Sequence, residues 1–341
     1  MILKSLNTFG INVSAHMIVT AHSEAELLML WRNALKSNRP VLLLGSGSNV
    51  LFLDHFNGTI ILNRIKGLII KEDKHSWYLH AGAGEVWHDI VTYTINRNIP
   101  GLENLALIPG YIGSAPIQNI GAYGIELKNV CEYVDIIQLD NGNKYRLSTI
   151  ECMFSYRDSI FKHYYRDKVA IVAVGLRLSK NWQPVLSYGN LMLLDKHKVT
   201  PLQIFNLVCA IRINQLPDIT KTGNAGSFFK NPLINTKKIA QLVTCYPTIP
   251  YFSQNNGMVK LVAGWLIDKC QLKGYKFGNA AVYEKKASIL ININNNASGI
   301  EILALAKYIR YFVANKFAIW LEPEVRFIGS EGEVDAIKTL L

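Results

Sequence analysis

The chain predicts an α+β fold. Three observations carry that expectation: amphipathic segments that begin with helix-capping residues, strand-like segments spread between and after them, and no regular strand–helix alternation of the kind that builds a doubly wound parallel sheet. The first helix opens at Ser23 with Glu26 three residues on, and sets Leu27, Leu28, Trp31, Ala34 and Leu35 on one face. A second opens at Thr200 with Pro201 and Gln203 and runs to Asn214, stopped by Pro217. Ser298 and Glu301 open a third, with Ile302, Leu305, Ala306, Ile309 and Val313 at helical spacing. Residues 263–274 read as a short amphipathic helix ending at Gly274. Strands are expected over 41–44, 50–53, 59–62, 77–81, 133–139, 144–147, 169–178, 288–293 and 318–328, with Asn141-Gly142 turning one hairpin.

A chain of 341 residues is long enough for two or three domains. Turn residues gather near Lys66 and from Pro217 to Lys221, which places boundaries there and divides the chain into 1–65, 66–216 and 217 onward. Half of the residues are hydrophobic and 18% charged, a globular composition. There is no apolar run of about 18 residues, and the N-terminus lacks the basic-then-apolar layout of a secretory signal. The expected location is cytoplasmic. Five cysteines without a C-x-x-C pair indicate free thiols and argue against zinc, so no metal is expected. The formal charge of +11 is scattered rather than blocked, which favours anionic small molecules over a polynucleotide partner.

Two lysine-free, glycine-rich stretches carry the first chemical signal. One is Gly45, Ser46, Gly47, Ser48, Asn49. The other begins Ile108, Pro109, Gly110, Tyr111, Ile112, Gly113, Ser114, Ala115, Pro116, and continues Ile117, Gln118, Asn119, Ile120, Gly121, Ala122, Tyr123, Gly124. Glycine lets backbone N–H groups approach phosphate oxygens, and Ser and Asn add short donors, so main-chain dipoles can replace a lysine in holding a diphosphate. Neither stretch is a Walker loop, which needs Gly-Lys-Ser/Thr. Nor is the first a dinucleotide fingerprint, because Val50 takes the third glycine position and strand-like residues follow it.

Four more segments mix polar with small or aromatic residues. In residues 154–162, Arg157 reads either as a structural ion pair with Asp158 or as a guanidinium aimed at developing negative charge. In 223–232, Ser227 after glycine reads either as a turn or helix-cap residue or as a reactive hydroxyl that small neighbours leave open to substrate, with Phe228 and Phe229 to exclude water; no Gly-x-Ser-x-Gly elbow supports a hydrolase. Residues 263–274 read as packing. In 320–327, Glu322, Glu324 and Arg326 share a strand face by period two, with a Glu324–Arg326 pair as the structural alternative to a functional carboxylate.

Taken in order, these segments and Asn7-Thr8-Phe9-Gly10 closely resemble the UDP-N-acetylenolpyruvoylglucosamine reductase family, flavoenzymes of peptidoglycan precursor synthesis, over nearly the whole chain. The resemblance implies an FAD-binding fold of the vanillyl-alcohol-oxidase type in two lobes, 1–65 with the returning C-terminal tail 328–341 and 66–216, plus a substrate-binding domain over 217–327. It implies non-covalent FAD held by Gly45, Ser46, Gly47, Ser48, Asn49 and Val50. Ile108, Pro109, Gly110, Ser114, Ala115, Ile117, Gln118, Asn119, Gly121, Ala122, Tyr123 and Gly124 complete that cofactor set. NADPH is the implied hydride donor. Flavin N5 then passes hydride to the enolpyruvyl ether of UDP-N-acetylglucosamine, Ser227 supplies the proton, and Arg157 with Glu324 stabilises the enolate-like centre. Tyr156, Tyr188 and Asn231 match substrate-contacting positions. Two departures stand out: Gln215 where relatives commonly have lysine, for which Arg212 is a candidate substitute, and Lys286 where relatives often have His or Gln. The expected enzyme is a monomer with no nucleic-acid or membrane partner. The competing readings are another flavin oxidase or dehydrogenase of the same fold and a basic nucleic-acid-binding protein.

Overall fold

The computed structural model describes residues 1–254 and 257–341. Contacts group them into two compact units. One holds Met17–Ser46 and Gly58–Asn214; the other holds Met1–His16, Gly47–Asn57 and Gln215–Leu341. Turn residues alone suggested three consecutive segments. The grouping differs because pieces distant in sequence pair with one another, which no local signal reports.

In the first unit, an antiparallel sheet has the strand order Lys144–Ser148, Cys131–Gln138, Val169–Ser179, Ser76–Gly82, Leu68–Glu72. Side chains alternate across a strand, and here both faces are apolar: Ile171, Val174, Leu176 and Leu178 feed one core while Ala170 and Val172 feed another. A register shift between Ile171 and Ala173 re-aims the strand between those cores. The larger core also takes Trp87, Ile90 and Val91 from helix Trp87–Asn96, and Ile112, Ala115, Ile125 and Leu127 from around the second glycine stretch. A smaller sheet sets Val41–Leu44 parallel to Phe56–Asn63, so the strand ahead of Gly45 is fixed by a ladder. Two of the expected helices belong here. Helix Glu24–Leu35 is capped by Ser23, whose side chain accepts from Glu26 N–H, and Thr200 and Gln203 exchange bonds at the start of helix Pro201–Gln215.

In the second unit, strand Val50–Phe52 runs parallel to Arg326–Gly329, which pairs on its other edge with Gly332–Val334. Helix Gly299–Phe317 has the full Ser298–Glu301 capping box and buries Ile302, Leu305, Ala306, Ile309 and Val313. Two expectations need correction. The strand expected over 318–328 begins only at Arg326, because Ala318 closes the helix in a left-handed conformation (φ 52°) and the chain then passes Pro323. The helix expected over 263–274 spans Ala263–Lys269; Gln271 (φ 59°), not Gly274, makes the left-handed stop. The five cysteines form no disulfide, and among the described residues no helix is long and apolar enough to cross a membrane.

Candidate active site

The first glycine stretch leaves strand Val41–Leu44. Among the described residues, no main-chain acceptor takes the N–H groups of Ser46, Gly47 or Ser48, and the buried Ser46 Oγ has no partner. Buried polar groups are normally paired. A run of unclaimed donors is therefore a receptor for an anion, which fits the diphosphate of a dinucleotide and needs no lysine. Gly47 is required twice over: its φ is 65°, and a Cβ there would lie 2.0 Å from the Leu6 carbonyl oxygen. On the other side of the stretch, Arg64 Nη1 donates to the Gly45 carbonyl at 3.0 Å, with its guanidinium 4.6 Å above the Tyr111 ring. Burial pushes the Arg64 pKa down. Nothing in its local sequence marked Arg64 as part of the cradle.

The second stretch folds into 3-10 turns at Ile112–Ser114 and Pro116–Gln118, then a hairpin pairing Gly121–Ala122 with Ile125–Glu126. Small residues are needed because the backbones touch: a Cβ on Gly113 would sit 2.5 Å from that of Ala83. Ser114 Oγ donates to Tyr111 O at 2.8 Å, and Ile117 O accepts from Ser159 Oγ at 2.7 Å. Asn119, one of the expected cofactor residues, has its side chain fully engaged by protein. Asn119 is 0% exposed, its Nδ2 donates to Glu126 and to Ser155 O, and its Oδ1 accepts from Lys128 N–H. Its side chain is committed to shaping the loop.

Arg157 sits at the tip of a tight turn closed by Ser155 and Asp158, with φ 55°, a conformation that costs most residues about 1 kcal/mol or more. The turn sends Nη2 to the Gly121 carbonyl at 2.8 Å. Asp158 does not pair with it, as the structural alternative had it; that carboxylate meets His163 Nε2 at 2.8 Å. Tyr156 lies beside the guanidinium, which is 5.4 Å from its ring centre. Nearby in the same unit, Tyr188 is 39% exposed and packs edge-on against Tyr123 at 6.0 Å. Tyr123 hydrogen-bonds Arg212, and burial pushes the tyrosine pKa up and the arginine pKa down. Arg212 also donates to Leu107 O at 3.2 Å, while its buried Nε has no partner among the described residues.

Ser227 lies in the second unit, on a loop shaped by buried Asn224, whose Oδ1 accepts from Gly226 N–H at 3.0 Å. Gly226 is left-handed (φ 72°), and none of the described residues lies within 4 Å of where its Cβ would be, so among them the chain ahead of Ser227 faces open space. Beyond Ser227, Phe228 and Phe229 are buried among Phe9 and Phe327, where they anchor the loop; they do not form the expected cover over the serine. The same segment runs antiparallel to residues 322–324: Glu324 N–H donates to Phe228 O at 2.8 Å and Lys230 N–H to Glu322 O at 2.9 Å. Asn49 Nδ2 donates to Glu324 O at 3.2 Å. Ser227, half-buried Glu324 and the end of the first glycine stretch are thus tied together by backbone. The Glu324–Arg326 pair does not form; Arg326 turns to Glu333, with Nε to Oε2 at 2.9 Å. Asn231 Oδ1 accepts from Ala263 N–H at 2.9 Å and fixes the start of helix Ala263–Lys269.

This α+β fold, with its cradle of unclaimed N–H donors, is that of an FAD-binding oxidoreductase. Residues 15–148 match the FAD binding domain family, and residues 218–328 match the UDP-N-acetylenolpyruvoylglucosamine reductase C-terminal domain. The UDP-N-acetylenolpyruvoylglucosamine reductase of Escherichia coli (strain K12) is 56% identical over 338 residues, 99% of this chain and 98% of that one. The Salmonella typhimurium protein of the same name is 55% identical over the same shares. A crystal structure of the Thermus caldophilus reductase superposes with a TM-score of 0.64 at 22% identity, covering 96% of this chain and 97% of that one, which shows the shared fold. The chain belongs to the UDP-N-acetylenolpyruvoylglucosamine reductase family.

Proposed function

We infer that the chain catalyses the NADPH-dependent reduction of the enolpyruvyl ether of UDP-N-acetylglucosamine to the lactyl ether in peptidoglycan precursor synthesis. The observation that carries this is the 56% identity over 99% of the chain to reductases so named. Bound FAD supplies the two-electron carrier that lets one hydride pass from NADPH to the alkene. Ser46, Gly47 and Ser48 hold the cofactor's diphosphate by hydroxyl and backbone N–H, and Arg64 braces the turn through Gly45.

Hydride addition at the terminal alkene carbon leaves an enolate-like centre beside the substrate carboxylate. Arg157 is always cationic, and its backbone turn and its bond to Gly121 fix where the guanidinium points, so it stabilises charge on that carboxylate as it develops. Glu324 is the hydrogen-bonding partner of the same centre. Ser227 donates the proton to carbon; a hydroxyl is a weak acid, so the step relies on a strongly basic intermediate and a pre-positioned donor. Tyr156, Tyr188 and Asn231 contact the sugar nucleotide, and Arg212 supplies a cation that offsets Gln215. Cytoplasmic residence follows from this reading, since NADPH and uridine nucleotides are cytoplasmic solutes.

The purified protein should be yellow and turn over NADPH when given the enolpyruvyl sugar nucleotide. In stopped-flow, Ser227→Ala should leave flavin reduction by NADPH near the wild-type rate and slow flavin reoxidation by substrate at least about 100-fold, the scale of general-acid catalysis. Equal loss in both half-reactions would remove Ser227 from the acid role.

A further inference from the structure

An antiparallel bridge between Ser227 and Ile289, with Phe228 N–H donating to Ser288 O at 2.8 Å, brings a second hydroxyl against Ser227. The two Oγ atoms are 3.2 Å apart. Ser288 is 7% exposed, and its hydroxyl has no other hydrogen-bond partner among the described residues. Leaving a buried hydroxyl unpaired is costly, so Ser288 is committed to Ser227. One proton lies between the two oxygens, and its direction matters. If Ser227 donates to Ser288, the acid's proton points into the protein. If Ser288 donates to Ser227, the Ser227 proton is turned outward.

We propose that Ser288 is a positioning residue for proton delivery: its O–H donates to Ser227 Oγ, aims the Ser227 proton at the substrate carbon, and stabilises the oxygen as that proton leaves. This rests on the reading of Ser227 as the acid. In the step, the electron pair on the enolate-like carbon forms the new C–H bond and the Ser227 O–H bond breaks. Its electrons stay on Ser227 Oγ, where the hydrogen bond from Ser288 holds the negative charge. Water reprotonates Ser227 through the open side at Gly226. A hydrogen bond to a forming anion is stronger than one between neutral groups, so Ser288 acts mainly in the transition state.

The test uses the FAD-loaded enzyme in stopped-flow with wild type, Ser288→Ala, Ser227→Ala and the double variant. Ser288→Ala should leave flavin reduction by NADPH within about twofold and slow reoxidation by the enolpyruvyl sugar nucleotide roughly tenfold, the worth of one such hydrogen bond. The double variant should reoxidise no more slowly than Ser227→Ala, because Ser288 has no oxygen left to act on. Wild-type or faster reoxidation in Ser288→Ala overturns the proposal, as does equal slowing of both half-reactions or a multiplied loss in the double variant. Ser227→Ala alone tells the two ideas apart: if it reoxidises normally, the acid assignment itself has failed.

Discussion

Ser46 and Ser227 are both hydroxyls set beside glycine, and the fold treats them differently. Among the described residues Ser46 Oγ is buried without a partner, while Ser227 Oγ meets another hydroxyl at 3.2 Å. The first placement suits a group that waits for a permanent anionic ligand, and the second suits one that must release a proton. Ser46→Ala should therefore weaken FAD binding about 10- to 100-fold, the scale of one hydrogen bond to a charged acceptor, as read by fluorescence titration of the apoprotein. Unchanged affinity would show that the hydroxyl lies off the diphosphate. Ordered motifs along the chain singled out Ser227, Arg157 and Glu324, but not their local bonds. Asp158 and Arg326 took other partners because a turn at φ 55° and a strand edge, neither visible in side-chain spacing, re-aimed their neighbours. Ser288 was missed because it lies in the apolar run Ala287-Ser288-Ile289-Leu290, where a lone serine reads as strand filler.

Elements were legible where a side chain writes its own boundary. Ser23, Thr200 and Ser298 each close on the residue three ahead, and each helix starts where that pairing says. Helix Trp87–Asn96 escaped notice because its N-cap is Val86 and makes no side-chain bond; helix Thr236–Cys245 carried a usable cap in Asn235. The Ser298–Glu301 cap also makes an acid-sensitive point. Glu301 accepts from Ser298 N–H at 2.7 Å and from Asn279 N–H at 2.9 Å, and these bonds, the first foremost, hold its pKa below the usual 4.5. A carboxylate with a depressed folded-state pKa contributes stability that is complete above its unfolded value and is lost as pH falls through the folded one. Glu301→Gln should thus narrow the gap in thermal midpoint between wild type and variant as pH drops from neutrality to below about 4. Ser298→Ala, by contrast, should cost about 1 kcal/mol in urea unfolding at neutral pH. A gap for Glu301→Gln that stays constant with pH would mean that its charge does not matter to the cap.

At the scale of the whole molecule, the chain passes four times between its compact units, at 16/17, 46/47, 57/58 and 214/215. The C-terminal segment therefore does not own its core. Strand Val50–Phe52 supplies the parallel neighbour of Arg326–Ile328, Phe9 sets its ring 6.3 Å from Phe228, and Asn292 Nδ2 donates to Phe9 O at 2.8 Å. Phe9, Ile11, Leu51 and Phe52 are all at most 1% exposed. Burying four such side chains is worth about 6–12 kcal/mol at about 1.5–3 kcal/mol each, against a whole-domain stability of about 5–15 kcal/mol. A fragment of residues 215–341 expressed alone should then lack a cooperative thermal transition, even though residues 218–328 match a family domain. Fusing residues 1–16 and 47–57 back to it through flexible linkers should restore that transition, since they return the missing strand and the Phe9 contacts. A sharp transition in the bare fragment would show that the strand at 50–52 and the Phe9 contacts are dispensable. The same interleaving explains why domain boundaries were the least legible feature of the sequence: a stretch of 11 residues such as Gly47–Asn57 carries no sign of the partner, more than 250 residues away in sequence, beside which it folds.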